Sequence, residues 1–194
     1  MKIFITGGAG YIGSHMVKTA YKAGHDIITI DNLSTGHQDA VLFGKFEFCN
    51  VLDFKELDKL FKKHKPDAVM HFSSFSLVGE SVSDPFKYYN NNVTGTLSLL
   101  KAMIDNNCNK LIFSSTAAIF GNPEYIPIDE KHPKKPINPY GKSKLMVEEI
   151  LKDFESAYGL KYVSFRYFNA AGHDPEGELS ERHNPETHLL PIIM

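Results

Sequence analysis

The chain has 194 residues, 42% of them hydrophobic and 23% charged, which is enough to bury one core of ordinary domain size and too polar for a bundle of membrane helices. Its 21 basic and 23 acidic residues give a formal charge of -2 with no long run of either sign, so no nucleic-acid or membrane partner is expected and a small molecule is. Only Cys49 and Cys108 occur, outside any metal-ligand spacing, and no apolar run reaches spanning length, which excludes a disulfide framework and makes the cytoplasm the expected location.

The first predicted strand is Lys2 to Thr6, a short apolar run of the kind buried on both faces of a sheet. It runs into Thr6-Gly7-Gly8-Ala9-Gly10-Tyr11-Ile12-Gly13, which opens a predicted helix from Tyr11 to Lys22. Glycines at 7, 10 and 13 in that context bring backbone N–H groups and a helix N-terminus against a pyrophosphate, with Tyr11 and Ile12 in the same turn. The second strand, Asp26 to Ile30, is followed by Asp31, 18 residues beyond Gly13. A carboxylate there accepts hydrogen bonds from an adenosine ribose and repels a 2′-phosphate, and Asn32 to Gly36 supply no Arg or Lys, so the expected cofactor is NAD rather than NADP.

The third strand, Phe46 to Cys49, ends at Asn50 and Val51, and a helix from Phe54 to His64 follows. The fourth strand, Asp67 to Phe72, ends at Ser73 and Ser74; these positions fall at the carboxyl edge of the sheet, where ligands bind. A long helix is predicted from Pro85 to Asn106, opened by Asp84-Pro85; inside it Asn90-Asn91-Asn92 are poor helix formers, and Asn92 is expected to bond a loop or the cofactor. The fifth strand, Lys110 to Ser114, brings Ser114, Ser115 and Thr116 to the same edge, where hydroxyls relay protons or cap a turn. A helix from Pro139 to Tyr158 and a strand from Lys161 to Arg166 complete the pattern. Strands alternating with helices imply right-handed crossovers and a doubly wound α/β architecture, a parallel sheet with helices on both faces.

Tyr140 and Lys144 lie four apart, one turn of helix, and so share a face. A phenol beside a fixed cation is expected to ionise below its ordinary pKa of about 10, and a phenolate next to a nicotinamide drives hydride transfer. The spacing is common by chance; its place on a helix after the fifth strand raises it. Beyond Arg166 periodicity stops, and Asn169 to Pro191 reads as a ligand-covering segment leading into further structure, so the chain is expected to be an N-terminal portion. Nine histidines include His173, His183 and His188, but their spacing matches no zinc pattern and no metal is expected.

The chain resembles the extended short-chain dehydrogenase/reductases, and within them the nucleotide-sugar 4-epimerases. The resemblance rests on the glycine turn through His15, on Asp31-Asn32-Leu33, His71-Phe72, Val78 to Ser81, Tyr88-Tyr89, Asn91 to Val93, and Phe113 to Thr116. It continues through Pro139 to Leu145, Arg166 to Asn169 and Asn184 to Pro191, spanning nearly all of the chain. It implies a Rossmann-type NAD-binding domain over residues 1–168 and the start of a substrate-binding segment over 169–194. It also implies Tyr140 as base, Lys144 on the nicotinamide ribose, Thr116 near the sugar and Phe168 beside the nicotinamide, with Asn169, His188 and Leu189 near a UDP diphosphate.

The implied reaction interconverts UDP-glucose and UDP-galactose through a 4-keto intermediate, and the resemblance further implies a homodimer through a four-helix contact. Against the family pattern, Asn50 stands in place of an aspartate, Ser73, Ser74 and Ser76 in place of smaller residues, and Phe120 in place of a tyrosine. A dehydratase or decarboxylase is the nearest rival, yet Ala117-Ala118 follow Thr116 where dehydratases carry an acidic pair. A silent dinucleotide-binding module is the rival of another class, and little turnover is expected from the 194 residues alone.

Overall fold

The computed structural model describes residues 1–183, 186 and 192–193. Six strands run parallel in one sheet: β1 (Lys2–Thr6), β2 (Asp26–Asp31), β3 (Lys45–Phe48), β4 (Ala68–His71), β5 (Lys110–Thr116) and β6 (Lys161–Tyr167). Their spatial order is β3-β2-β1-β4-β5-β6. The chain reverses its direction of travel between β1 and β4, which creates a crevice at their carboxyl ends, the place where open parallel sheets bind ligands.

One face is covered by α2 (Phe54–His64), α5 (Gly95–Asp105) and α6 (Pro139–Tyr158). There Leu57, Phe61, Leu99, Met103, Val147 and Leu151 bury against Phe4, Ile28, Val69 and Phe113. Alternate residues of β1, Ile3 and Ile5, point the other way and pack with Ile27 against Val17 and Ala20 of α1 (Tyr11–Lys22). Burial on both faces is why these strands read as continuous apolar runs. Further along that second face, Val163 and Phe165 of β6 remain half-exposed.

Helix boundaries follow capping chemistry. Asp53 accepts the Glu56 N–H at 3.0 Å to open α2, and Asn138 accepts the Gly141 N–H at 2.8 Å to open α6 with Pro139 at the first helical position. Gly159, with φ 68°, ends α6 in the left-handed conformation that glycine adopts without strain.

The expected helix from Pro85 to Asn106 is divided. A short α4 (Pro85–Tyr88) passes into a π-helical stretch, Tyr89–Thr94, and then into α5. The wider turn accommodates the asparagine run and buries Asn92, which is 2% exposed. A six-residue helix, α3 (Val78–Ser83), was not anticipated; it is anchored by the buried Tyr88, whose single hydroxyl proton is shared between the Leu77 carbonyl at 2.7 Å and Glu80 at 2.8 Å. Among the described residues no helix is long and apolar enough to cross a membrane. Cys49 and Cys108 are buried thiols, pushed up by burial to about 12 and about 11.

Candidate active site

A cleft of about 460 Å³ lies along the carboxyl edge of the sheet. One end is the glycine turn. Gly7 has φ 73°, and a Cβ there would stand 2.6 Å from the Ser73 backbone nitrogen; at Gly13 it would stand 2.1 Å from the Gly7 carbonyl oxygen. These two glycines let the turn close. Gly10 differs: a Cβ there would meet only the Gly7 oxygen, at 3.4 Å, and would otherwise occupy the cleft. No side chain caps α1, so its first-turn N–H groups, at Tyr11, Ile12 and Gly13, face the cleft with the positive end of the helix dipole.

Asp31 sits at the end of β2, 8% exposed. Its Oδ2 accepts the Ala9 N–H at 3.0 Å and its Oδ1 the Leu33 N–H at 2.8 Å, which ties the carboxylate to the glycine turn. Burial raises its pKa from the ordinary value against the opposing pull of these backbone donors. Each oxygen keeps lone-pair capacity for a further donor. Asn32, Ser34, Thr35 and Gly36 continue this wall, and Cys49 and Val51 flank it.

The other end carries the hydroxyls. Ser114, Ser115 and Thr116 line the cleft with Tyr140. Burial holds the Tyr140 phenol above its ordinary pKa, against the opposing pull of the nearby Thr116 hydroxyl. Lys144 is 2% exposed and lies beneath the cleft rather than in its lining. Its Nζ donates to the Ser114 carbonyl at 2.8 Å, 6.0 Å from the Tyr140 ring centre, and burial pushes its pKa down to about 7. The expectation that a fixed cation depresses the phenol is therefore corrected for the chain by itself: the same desolvation drives both groups toward their neutral forms.

His71, wholly buried, is held near 3 by desolvation, with Lys144 adding to the effect. Its ring nitrogens bond the Thr6 hydroxyl at 2.6 Å and the Thr96 hydroxyl at 2.9 Å. A neutral imidazole thus ties β1 and β4 to α5.

Phe72, Ser73 and Ser74 line the cleft, as sequence suggested, and so do Phe168 and Asn169 after β6. Asn92 takes another part. It accepts the Phe75 N–H at 3.0 Å and donates to the Phe75 carbonyl at 3.0 Å and to Ser143 at 3.2 Å, so it latches the loop after β4 to α6 while Asn91 reaches the cleft. Asn50 folds onto its own turn, accepting the Leu52 N–H at 3.0 Å, and is absent from the lining. His188 and Leu189 lie outside the described residues.

Sequence reasoning missed the return of the segment after β6. The Gly172 carbonyl accepts from the Tyr11 hydroxyl at 2.6 Å, and Asp174 and Glu178 each approach the buried Lys18 to 2.7 Å. Arg182 forks onto Asp39 at 2.7 and 2.9 Å. This strap brings Glu181 and His183 into the cleft wall, and with Glu186 their ligating atoms lie within 4.8 Å of one another. The segment has no periodicity, and the only available signal was its alternation of acidic residues with Arg and His.

Residues 3–192 match the NAD dependent epimerase/dehydratase family. The UDP-glucose 4-epimerase of Halalkalibacterium halodurans is 50% identical over 194 residues, all of this chain and 58% of that protein. That of Lactobacillus helveticus is 50% identical over 195 residues, all of this chain and 59% of that one. The chain thus spans about three-fifths of the length of these relatives. Among solved structures, UDP-glucose 4-epimerase from Brucella ovis in complex with NAD superposes with a TM-score of 0.97 at 50% identity, covering 98% of this chain and 59% of that one. The enzyme from Bifidobacterium longum in complex with NAD+ and UDP gives 0.90 at 36% identity, covering 94% and 58%. With its glycine turn and buried Asp31 in a cleft at the carboxyl edge of one parallel sheet, and Thr116 and Tyr140 in the same lining, the chain belongs to the NAD dependent epimerase/dehydratase family.

Proposed function

We propose that this chain is the cofactor-binding portion of an epimerase that interconverts UDP-glucose and UDP-galactose at C4 with bound NAD. The observation that carries the reading is the placement of Thr116 and Tyr140 at one end of a cleft whose other end is an open glycine turn and a buried aspartate. The residues fit NAD: Gly10 leaves the space that a pyrophosphate needs, and Asp31 offers a ribose its remaining lone pairs. Arg182, brought toward this end by the strap, is engaged by Asp39, so among the described residues a 2′-phosphate meets the Asp31 carboxylate and an arginine already paired.

Bound NAD supplies a hydride acceptor and donor, together with a positively charged ring. Tyr140 takes the proton of the sugar 4-hydroxyl, with Thr116 as its hydrogen-bond partner. Lys144, which lies just beneath the lining with its Nζ on the Ser114 carbonyl, would have to turn that Nζ into the cleft to hold the nicotinamide ribose, and Phe168 would line the ring. With NAD as hydride acceptor, loss of the C4 hydride together with the hydroxyl proton would leave a 4-keto sugar; return of the hydride to its other face, with Tyr140 giving the proton back, would complete the inversion. Asn169, in the cleft lining, would approach the UDP diphosphate. Ala117 and Ala118 carry no proton, which favours epimerisation over dehydration.

The same reading extends to the cytoplasm and to a homodimer pairing the α4–α5 and α6 faces. Exposed Phe86, Leu97 and Met146 on those helices support the pairing. Incubation with UDP-galactose and NAD tests the reaction: reduced nicotinamide retained on the protein, with little UDP-glucose formed, is the expected result. If neither appears in a chain shown separately to hold NAD, the reading fails for these 194 residues.

A further inference from the structure

Helix α6 presents Tyr140, Lys144 and Glu148 at successive turns of one face, and β5 ends in Ser114, Ser115 and Thr116. The two sets engage one to one. Thr116 lines the cleft with Tyr140 and favours its phenolate, the Ser114 carbonyl accepts from Lys144 at 2.8 Å, and the Ser115 hydroxyl donates to Glu148 Oε1 at 2.7 Å.

Glu148 is 3% exposed, and four donors saturate it. Besides Ser115, Arg166 of β6 donates to both of its oxygens at 2.9 Å, and Lys134 donates to Oε2 at 2.9 Å. Arg166 also reaches Glu130 at 2.8 Å. A buried ion pair is a poor device for stability alone, because well-packed apolar residues serve as well, which leaves a positional role open to it. Ser115 supplies one. It lines the cleft between the two residues that meet Tyr140 and Lys144, yet its hydroxyl is committed to the helix.

We propose that Glu148 is a positioning residue that, by holding the Ser115 hydroxyl, fixes the register of the β5 end against α6 and so sets Thr116 on Tyr140 and the Ser114 carbonyl on Lys144. The inference rests on the function proposed above. The groups facing Tyr140 are Thr116 from β5, Lys144 from α6 and Tyr88 from α4, whose ring centre is 6.4 Å away and whose hydroxyl is tied to Glu80, itself paired with Lys87.

The test is the titration of Tyr140 in the chain with and without NAD, followed by NMR on ring-labelled tyrosine and assigned with Tyr140→Phe. Glu148→Gln and Ser115→Ala are expected to move its midpoint to higher pH, because the Thr116 hydrogen bond to the phenolate is loosened; Ser115→Thr, which keeps the hydroxyl, should restore the wild-type midpoint. Simple removal of a nearby anion moves the midpoint the other way, so an unchanged or lowered value overturns the proposal. Should Glu148→Gln fail to fold, Ser115→Ala decides alone. A wild-type midpoint that does not fall when NAD is added counts against the proposed function itself, whereas a fall that Ser115→Ala leaves untouched removes only the role of Glu148.

Discussion

Single side chains around the cleft divide into those proposed to do chemistry and those that make room for it. Tyr140→Phe keeps the ring and its packing and removes the proton acceptor, so turnover of UDP-galactose should fall by about 10²–10⁴-fold with NAD binding retained, as a coupled spectrophotometric assay and calorimetry would show. The glycines divide in the same way. Gly13→Ala places a methyl 2.1 Å from a backbone oxygen and should destabilise the chain by about 1–3 kcal/mol in denaturant unfolding. Gly10→Ala meets only an oxygen at 3.4 Å and should leave the unfolding midpoint nearly unchanged while weakening NAD. The spacing of these glycines and the reach to Asp31 were legible in the sequence because a local turn dictates them. The burial of Lys144 was not: a lysine one turn after a tyrosine looks like a solvated cation until β5 and Phe113 are packed over it, the ring centre 4.9 Å from Nζ.

Elements were legible where propensity, periodicity and caps agreed. The six strands and the helices α1, α2 and α6 follow the predicted segments within a residue or two, the usual uncertainty of an element's end. Asn138 opens α6 by accepting the Gly141 N–H, one position from Tyr140. Asn138→Ala should cost about 1 kcal/mol and lower the melting temperature by about 2–4 °C, measured by calorimetry. The division of the Pro85 to Asn106 segment escaped the sequence for a physical reason. Backbone angles stay helical at the joins, at Tyr88, Tyr89, Thr94 and Gly95, and the hydrogen-bond spacing changes at Tyr89–Thr94, where Asn92 bonds Phe75 and Ser143, residues distant in the chain. The strap after β6 was legible as a covering segment but not in its path, which is set by ion pairs to Lys18 and Asp39 more than 140 residues away in sequence.

For the whole molecule, the site works against stability. Folding carries Lys144 from its ordinary range down to about 7, so between pH 7 and the ordinary lysine range the unfolded chain binds a proton that the folded chain releases. Stability should therefore rise with pH across that window, by up to about 1.4 kcal/mol per unit, and Lys144→Met should flatten the slope and stabilise the chain at pH 7, as urea unfolding at pH 7, 8 and 9 would show. The strap behaves in the opposite sense. Asp174 is held at about 2, chiefly by its hydrogen bond from Lys18, so its contribution is complete above the ordinary carboxylate range and is lost only as pH falls toward 2. Limited proteolysis within residues 170–180 should be unchanged from pH 5 to 9 and should become faster in Lys18→Met. The central claim is that the glycine turn and Asp31 form a site for NAD, and calorimetric titration of the purified chain with NAD and with NADP tests it most directly. The account predicts saturable binding of NAD, markedly weaker binding of NADP, and loss of that preference in Asp31→Asn; equal affinity for the two dinucleotides, or no binding of NAD by the folded chain, would contradict it.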